Sequence, residues 1–162
     1  MKTVYLGLGA NLGGREQALE TARGLLDREG VRIRRGSSLY ETEPMDVVNQ
    51  PWFLNQVVEA ETALFPLQLL SRTRAIEIEM GRKRVVAKGP RAIDIDILFY
   101  GRFTIDSPKL SVPHPRFRER RFVLAPMAEI APDFRDPVSR RSMRELLAAL
   151  SGQVVRKLPG PA

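Results

Sequence analysis

Apolar residues recur along the chain with two different periods, and the order of these periods predicts the order of the elements. Residues 3–9 form a short apolar run that is typical of a strand. Leucine and alanine then recur at helical spacing over residues 15–29, and Gly30 follows as a stop signal. Alternation over residues 31–40 predicts a second strand.

The middle of the chain repeats this pattern after a loop. Residues 43–52 are rich in proline and amide side chains, and residues 53–62 alternate as a strand. Pro66 suits the first turn of a helix, where its missing amide proton is not needed, and Gly81 suits the end of that helix. Residues 92–100 predict another strand.

The order strand, helix, strand, strand, helix, strand predicts an α+β fold. It is the order of a ferredoxin-like, split βαβ core, in which an antiparallel sheet carries two helices on one face. We expect residues 101–162 to provide C-terminal additions, with a helix over 142–150 and a loose tail over 157–162. Residues 1–162 are expected to form a single domain.

Composition narrows the classes of protein. The chain has 162 residues, no cysteine and a formal net charge of +7, with a pI of about 10.4. The lack of cysteine excludes a disulfide scaffold and a thiol nucleophile. No segment is long enough to span a bilayer, and the first apolar run is too short for a signal peptide, so we expect a cytoplasmic protein without a membrane partner. The positive charge indicates an anionic partner.

Two carboxylates form the sharpest chemical motif. Asp94 and Asp96 are two residues apart on the predicted strand 92–100, so their side chains share a face at a Cα separation of about 6.6 Å. Such a pair can converge on Mg²⁺ that also binds phosphate oxygens. The same pattern also suits a half-buried strand whose outer face is acidic.

Clustered positive charges favour the phosphate-site hypothesis. Arginine and lysine flank the acidic pair on both sides, and guanidinium groups match phosphate geometry. The first group consists of Arg82, Lys83, Arg84, Lys88 and Arg91, and the second of Lys109, Arg116, Arg118, Arg120 and Arg121. The only histidine, His114, lies between two prolines and suits either a plain loop or a rigid donor to phosphate.

Glycines near the N-terminus do not form a nucleotide-binding motif. The spacing of Gly7, Gly9 and Gly13 does not fit the dinucleotide fingerprint, and no Walker lysine follows. We expect these glycines to serve a tight turn between a strand and a helix. A further group, Thr42, Pro44, Met45, Phe53, Asn55 and Phe122, is compatible with core or turn positions, but together these residues could enclose a flat heterocycle.

Two alternatives from other classes are a basic RNA-binding module and a non-catalytic nucleotide-binding protein. RNA-binding modules on ferredoxin-like sheets present aromatic residues on the sheet face in an Arg/Lys-Gly-Phe type of motif. The sequence has no such motif, and the corresponding strand carries acids, which repel a phosphate backbone. We therefore expect no nucleic-acid partner.

The chain resembles the 6-hydroxymethyl-7,8-dihydropterin pyrophosphokinase (HPPK) family. The resemblance extends from the first strand to about residue 133. It rests on Leu8-Gly9-Ala10-Asn11-Leu12, Tyr40-Glu41-Thr42-Glu43-Pro44, Phe53-Leu54-Asn55, Gly81-Arg82-Lys83-Arg84, the run from Gly89-Pro90-Arg91 to Asp94-Ile95-Asp96-Ile97, Val112-Pro113-His114 and Arg120-Arg121-Phe122.

The resemblance implies a magnesium-dependent, monomeric transferase of folate biosynthesis that moves pyrophosphate from ATP to the pterin alcohol. It implies catalytic roles for Arg82, Arg91, Asp94 and Asp96, with two magnesium ions on Asp94 and Asp96. The implied ATP contacts are Arg74, Glu77, Arg82, Arg84, Lys88, Arg91, Ile97, Lys109, Ser111, His114 and Arg120. The implied pterin pocket consists of Thr42, Pro44, Met45, Phe53, Asn55 and Phe122. Arg74, Lys88, Phe53 and Lys109 depart from the residue types of some family members.

Overall fold

A computed structural model describes residues 1–43, 49, 51–81 and 92–159. The strands are β1 Lys2–Ala10, β2 Val31–Gly36, β3 Tyr40–Thr42, β4 Phe53–Thr62, β5 Asp94–Tyr100, β6 Ile105–Asp106, β7 Ser111–Val112 and β8 Val155–Lys157. The α-helices are α1 Arg15–Arg28, α2 Pro66–Glu79, α3 Arg121–Ile130 and α4 Met143–Ala149, and a 3₁₀ helix spans Phe117–Glu119. No helix of the described ranges is both long and apolar enough to span a bilayer.

Six strands form one antiparallel sheet in the order β5-β1-β4-β3-β8, and β2 also pairs with β4. The ten-residue strand β4 pairs with β1 on one side and shares its other side between β3 and β2. The predicted α+β fold with an antiparallel sheet and packed helices is therefore confirmed.

The predicted strand 31–40 is wrong in one respect, because it is two strands with a break at residues 37–39. The Ser37 side chain explains the break. Its hydroxyl accepts the Val57 amide at 3.0 Å, and the Gln56 side chain donates to the Ser37 carbonyl at 2.8 Å. These side-chain contacts satisfy groups that a regular ladder would pair, so β3 starts as a separate strand.

Two hydrophobic cores lie on opposite faces of the sheet. The first contains Leu6 and Leu8 of β1 together with the buried faces of α1 and α2. The second contains Tyr5, Phe99 and residues of α3 and α4. The second core covers only the part of its face near Tyr5 and Phe99. The other part of that face, at the C-terminal end of β1, carries the candidate site.

The C-terminal region differs from its prediction at one point. The helix predicted over 142–150 corresponds to α4, whose Ser142 and Glu145 form a reciprocal N-terminal cap. The tail was expected to be loose from residue 157, but Lys157 ends strand β8 and pairs with Tyr40. The next residue, Leu158, still donates its amide to the Leu39 carbonyl at 2.8 Å. Backbone pairing with β3 therefore extends past the start of the predicted tail.

Asp136 anchors the turn between α3 and α4 to the 3₁₀ helix. Its carboxylate is fully buried; it accepts Nε of Arg118 at 2.8 Å and the Ser139 hydroxyl at 2.8 Å. Burial favours a higher pKa for Asp136, but these bonds and the Val138 amide lower its pKa below the usual value. The charged form of Asp136 is therefore more stable in the folded protein than in the unfolded chain.

Replacing Asp136 with asparagine should lower the free energy of unfolding by about 1–3 kcal/mol at pH 7. A group whose folded pKa is depressed stabilises above its unfolded pKa of about 3.9, and this contribution is lost as pH falls through the lower folded value. Denaturant unfolding between pH 3 and pH 7 should show a shallower acid-side decline for Asp136→Asn than for the wild type. Asp133→Asn is the control, because its side chain is 84% exposed. Equal acid-side slopes for the Asp136 variant and the wild type would contradict this account.

Candidate active site

Asp94 and Asp96 lie on one face of the sheet, on strand β5 beside its hydrogen-bonded neighbour β1. The antiparallel register places Asp94 opposite Gly9 and Asp96 opposite Gly7. The alternate residue Ile95 is buried in the first core on the other face. The Asp96 side chain is 43% exposed, so it is accessible to a ligand.

Two glycines form the floor beside these carboxylates. An added Cβ at Gly9 would lie 2.8 Å from Nδ2 of Asn55, a distance that real Cβ contacts essentially never show. At Gly7 the added Cβ would lie 3.5 Å from Cδ1 of Leu98, which is ordinary contact. The expected role of Gly7 and Gly9 in a turn is wrong, because both lie within strand β1; only Gly13, with φ of +59°, lies in the loop that precedes α1.

Arg120 and His114 approach the carboxylates from the chain that precedes α3. Nη1 of Arg120 lies 3.9 Å from Oδ2 of Asp96. The His114 amide donates to the Leu98 carbonyl at 3.0 Å, which attaches His114 to β5. Nδ1 of His114 accepts the Arg116 amide at 3.2 Å, so the ring carries a proton on Nε2. Burial lowers the pKa of His114; Asp96 opposes this shift, and the two nearby arginines add to it.

Thr42, Phe53 and Asn55 form a second group on the same face of the sheet. Asn55 of β4 lies opposite Gly9 of β1, and Thr42 of β3 lies opposite Phe53. The Thr42 hydroxyl donates to Oδ1 of Asn55 at 2.7 Å, and both side chains are buried. This bond fixes the orientation of the Asn55 amide and directs its Nδ2 toward the glycine floor.

The aromatic partner expected across this pocket is Phe122. It lies in the first turn of α3, which packs on the same face of the sheet as Asn55, and its side chain is half-buried. The Arg120 guanidinium carbon lies 5.4 Å from the centre of the Phe122 ring. Arg120 therefore lies near both Asp96 and the aromatic ring. Pro44 and Met45, which were predicted for the same pocket, lie outside the described residues.

The remaining predicted ATP contacts are dispersed. The Ile97 side chain is buried in the first core, so only its backbone, on the outer edge of β5, could meet a nucleotide. Glu77 is buried, and its Oε2 accepts the Ile95 amide at 2.8 Å. Arg74 is exposed on α2, and Lys109 and Ser111 lie in and after the turn between β6 and β7. Arg82, Arg84, Lys88 and Arg91 lie outside the described residues.

Sequence reasoning missed the glycine floor and the role of Trp52. The Trp52 carbonyl accepts Nη1 of Arg15 at 2.9 Å, and its ring lies 4.3 Å from the Arg156 guanidinium carbon. Asn11 donates to the Pro51 carbonyl at 3.1 Å. These contacts hold the chain that leads into strand β4 of the pocket.

The sequence did contain a signal for the glycine floor, namely a pair of glycines inside an apolar strand. Glycine in a strand often marks close approach of a ligand or another group.

Comparisons with known proteins agree on one family. The family model for 7,8-dihydro-6-hydroxymethylpterin-pyrophosphokinase (HPPK) matches residues 5–132. The chain is 40% identical over 161 residues to 2-amino-4-hydroxy-6-hydroxymethyldihydropteridine pyrophosphokinase of Pseudomonas aeruginosa. This alignment covers 99% of each of the two chains. The chain is 49% identical over 127 residues to the Bacillus subtilis protein of the same name, with 78% of this chain and 76% of that protein covered.

Longer proteins contain a similar region. The chain is 41% identical over 156 residues to the folic acid synthesis protein fol1 of Schizosaccharomyces pombe; this covers 96% of the chain but only 21% of that protein. A crystal structure of HPPK-DHPS in complex with substrates superposes with a TM-score of 0.76 at 17% identity, covering 91% of this chain and 43% of that chain. At this identity the superposition shows the fold alone.

The family assignment rests on the match over residues 5–132 and on the two bacterial relatives. Asp94, Asp96, Asn55 and His114 all lie within the matched range. The chain belongs to the 7,8-dihydro-6-hydroxymethylpterin-pyrophosphokinase family, the pyrophosphokinases of folate synthesis.

Proposed function

We propose that this protein, as a single domain over residues 1–162, transfers pyrophosphate from ATP to the hydroxymethyl group of 6-hydroxymethyl-7,8-dihydropterin and releases AMP. The observation that carries the proposal is the position of Asp94 and Asp96 across a glycine floor from Asn55. A site for charged phosphates thereby adjoins a site for a flat, polar ring on one sheet face.

The carboxylate pair suits magnesium. Proteins bind Mg²⁺ through one or two carboxylates together with phosphate oxygens. Asp94 and Asp96 supply two carboxylates on one face, and the two β1 positions paired with them, Gly9 and Gly7, carry no side chain. We assign these two residues as those that would hold two magnesium ions. When bound, magnesium neutralises charge on the phosphate chain and on the leaving group.

Cationic and neutral donors would hold the phosphates. Arg120 lies close to Asp96, so its guanidinium could bind a phosphate oxygen held beside the carboxylates. Guanidinium groups bind phosphate through two parallel hydrogen bonds. His114 carries a proton on Nε2 in both its neutral and its charged form, so it can donate to phosphate in either state. The roles of Arg82, Arg84, Lys88 and Arg91 stay predictions from the resemblance.

The adenosine part would lie along the outer edge of β5. The Ile95 amide points away from β1 toward Glu77, and the two-residue period of the strand directs the backbone of Ile97 to the same side. Backbone groups at a sheet edge can hydrogen-bond a base. Ser111 and Lys109, near the β6–β7 turn, are proposed to contact the sugar or the phosphates, and Arg74 is proposed to lie at the rim.

The pterin would occupy the floor above Gly9. Its ring would stack with Phe53 and Phe122, and its polar edge would accept from the Asn55 amide that Thr42 orients. The hydroxyl oxygen of the substrate then forms a bond to the β-phosphorus, and the hydroxyl proton passes to solvent. The bond from that phosphorus to the oxygen shared with the α-phosphorus breaks, and AMP leaves with that oxygen. Positioning and charge neutralisation supply most of such catalysis.

Product analysis tests the proposed reaction directly. The protein, ATP, magnesium and the pterin alcohol should yield AMP and the pterin pyrophosphate in equal amounts, because the transferred group carries both terminal phosphates. Omission of the pterin is the control and should suppress AMP. Release of ADP would contradict pyrophosphoryl transfer, and ATP binding without turnover would support the nucleotide-binding alternative.

Small molecules are the partners that this proposal requires, namely ATP and the pterin alcohol. We propose a monomer that binds no nucleic acid. A salt-dependent affinity for RNA in the absence of turnover would contradict that part of the proposal. Location in the cytoplasm stays a prediction, because the similar proteins include bacterial enzymes and plant proteins whose names state that they are mitochondrial.

A further inference from the structure

The C-terminal strap, defined here as residues 151–157, is attached at its start to the first residue of α3. The Arg121 amide donates to Oε1 of Gln153 at 3.0 Å. The Arg121 guanidinium donates to the carbonyls of Gly152 at 3.2 Å and Leu150 at 2.7 Å. Two hydrogen bonds from the strap and one from Leu150, directly before it, therefore hold the residue that immediately precedes the aromatic residue proposed to stack on the pterin.

The other end of the strap completes the sheet next to the pocket. Strand β8 pairs with β3, so Val155 lies opposite Thr42. The Val154 amide also donates to Oε1 of Glu43 at 3.3 Å. Because β3 has only three residues and pairs with β4 on its other side, the strap supplies its second neighbour. Thr42 in turn orients Asn55.

A third attachment joins the strap to the start of β4. The Arg156 guanidinium carbon lies 4.3 Å from the centre of the Trp52 ring, and its Nη2 lies 3.5 Å from Oε1 of Glu41. Trp52 directly precedes Phe53. The strap thus contacts three segments, and each of them carries a residue of the proposed pterin pocket.

Gln153 has two features that indicate a fixed position. Its φ of +44° is unusual for a residue other than glycine. Its buried Nε2 has no hydrogen-bond partner among the described residues. Such costs persist only where other contacts determine the conformation. The strap lies beyond residue 132, where the match to the family model ends.

We propose that the C-terminal strap is a positioning element for the pterin half of the site, with Gln153 as its main anchor. It holds Phe122 on one side and Thr42 with Asn55 on the other at a fixed separation. Strand β5, which carries the carboxylates, lies at the opposite end of the sheet order from β8. This inference rests on the proposed function, because that function assigns the pterin to this pocket.

The test compares pterin and nucleotide affinities in the full-length chain. Gln153→Ala removes the acceptor for the Arg121 amide and should raise the dissociation constant for 6-hydroxymethyl-7,8-dihydropterin about tenfold. The dissociation constant for α,β-methylene ATP with magnesium should change less than twofold. Both dissociation constants are measured by calorimetry. Pterin binding is measured in the presence of the analogue, because its carbon bridge between the α- and β-phosphorus blocks transfer.

A conservative variant separates positioning from direct contact. Gln153→Glu keeps an acceptor oxygen for Arg121 and lacks the amide donor, so it should bind the pterin as the wild type does. Loss of pterin affinity in Gln153→Glu equal to that in Gln153→Ala would overturn the positioning role. Arg144→Ala is the control outside the strap, because it removes only an exposed ion pair with Asp133.

The remaining outcomes are also decisive. Arg156→Ala, which acts at the far end of the strap, should weaken pterin binding in the same selective way. Equal losses of pterin and nucleotide affinity in Gln153→Ala and Arg156→Ala would overturn the proposal in favour of a general structural role. If the wild type bound the pterin but released no AMP, the proposed reaction would be refuted, and the affinity measurements would still test the role of the strap. If it did not bind the pterin, both proposals would fall.

Discussion

Replacing Asp94 or Asp96 with asparagine should lower kcat about a thousandfold, with little change in stability. Asparagine keeps the shape of the side chain but removes the negative charge that would hold magnesium. The partly exposed position of Asp96 means that its carboxylate is available to a ligand and does not fill a core. A loss of transition-state stabilisation of about 4 kcal/mol corresponds to this factor.

The measurement is the initial rate of AMP formation at saturating ATP and pterin across a range of magnesium concentrations. The two variants should remain slow at every concentration, and calorimetry should show weaker binding of magnesium with the ATP analogue. Asp27→Asn is the matched control, since Asp27 is an exposed carboxylate of α1, which packs on the opposite face of the sheet. Wild-type rates in either Asp94 or Asp96 variant would remove the metal assignment.

The elements that depend on local patterns could be predicted from the sequence. Strand β4 begins at Phe53 and ends at Thr62 as its alternation predicts, and α2 begins at Pro66. The shared face of Asp94 and Asp96 follows from the two-residue period of any strand. These features need no knowledge of distant partners.

Features that depend on distant partners could not be predicted. The register between β1 and β5 shifts at Tyr5 and Leu6, so Leu98 is an extra residue and both Leu98 and Phe99 face the second core. Simple alternation would place them on opposite faces. The pairing of β8 with β3 joins segments more than a hundred residues apart, and no local pattern in its three residues indicates it.

The site divides in the same way. The metal-binding chemistry of Asp94 and Asp96 can be inferred from their residue type alone. The contribution of Gly9 cannot, because it depends on Asn55, which pairs with it from another strand. The family resemblance implied that Ile97 contacts ATP, whereas the two-residue period of the strand places its side chain on the face opposite Asp94 and Asp96, where it is buried in the first core. A residue's contact with a ligand through its backbone leaves no trace in its side-chain chemistry.

Gly9→Ala should raise the Michaelis constant for the pterin by about 10- to 100-fold. The added methyl would lie 2.8 Å from Nδ2 of Asn55, so the amide must move. Movement breaks or bends the bond from Thr42 and takes the amide donors away from the pterin edge. The added methyl also occupies the floor beneath the ring. The Michaelis constant for ATP should change much less, because the methyl faces Asn55.

Steady-state kinetics with each substrate varied in turn measure this split. Gly36→Ala is the matched control: its added methyl would also meet a side-chain amide at 2.8 Å, that of Gln56, at the end of β2 outside the pocket. It should lower the melting temperature without changing the Michaelis constant for the pterin. Gly7→Ala should have a smaller effect than Gly9→Ala, because its methyl finds ordinary contact with Leu98. Equal effects at Gly9 and Gly36 on the pterin constant would mean that strand strain, and not the open floor beside Asn55, determines binding.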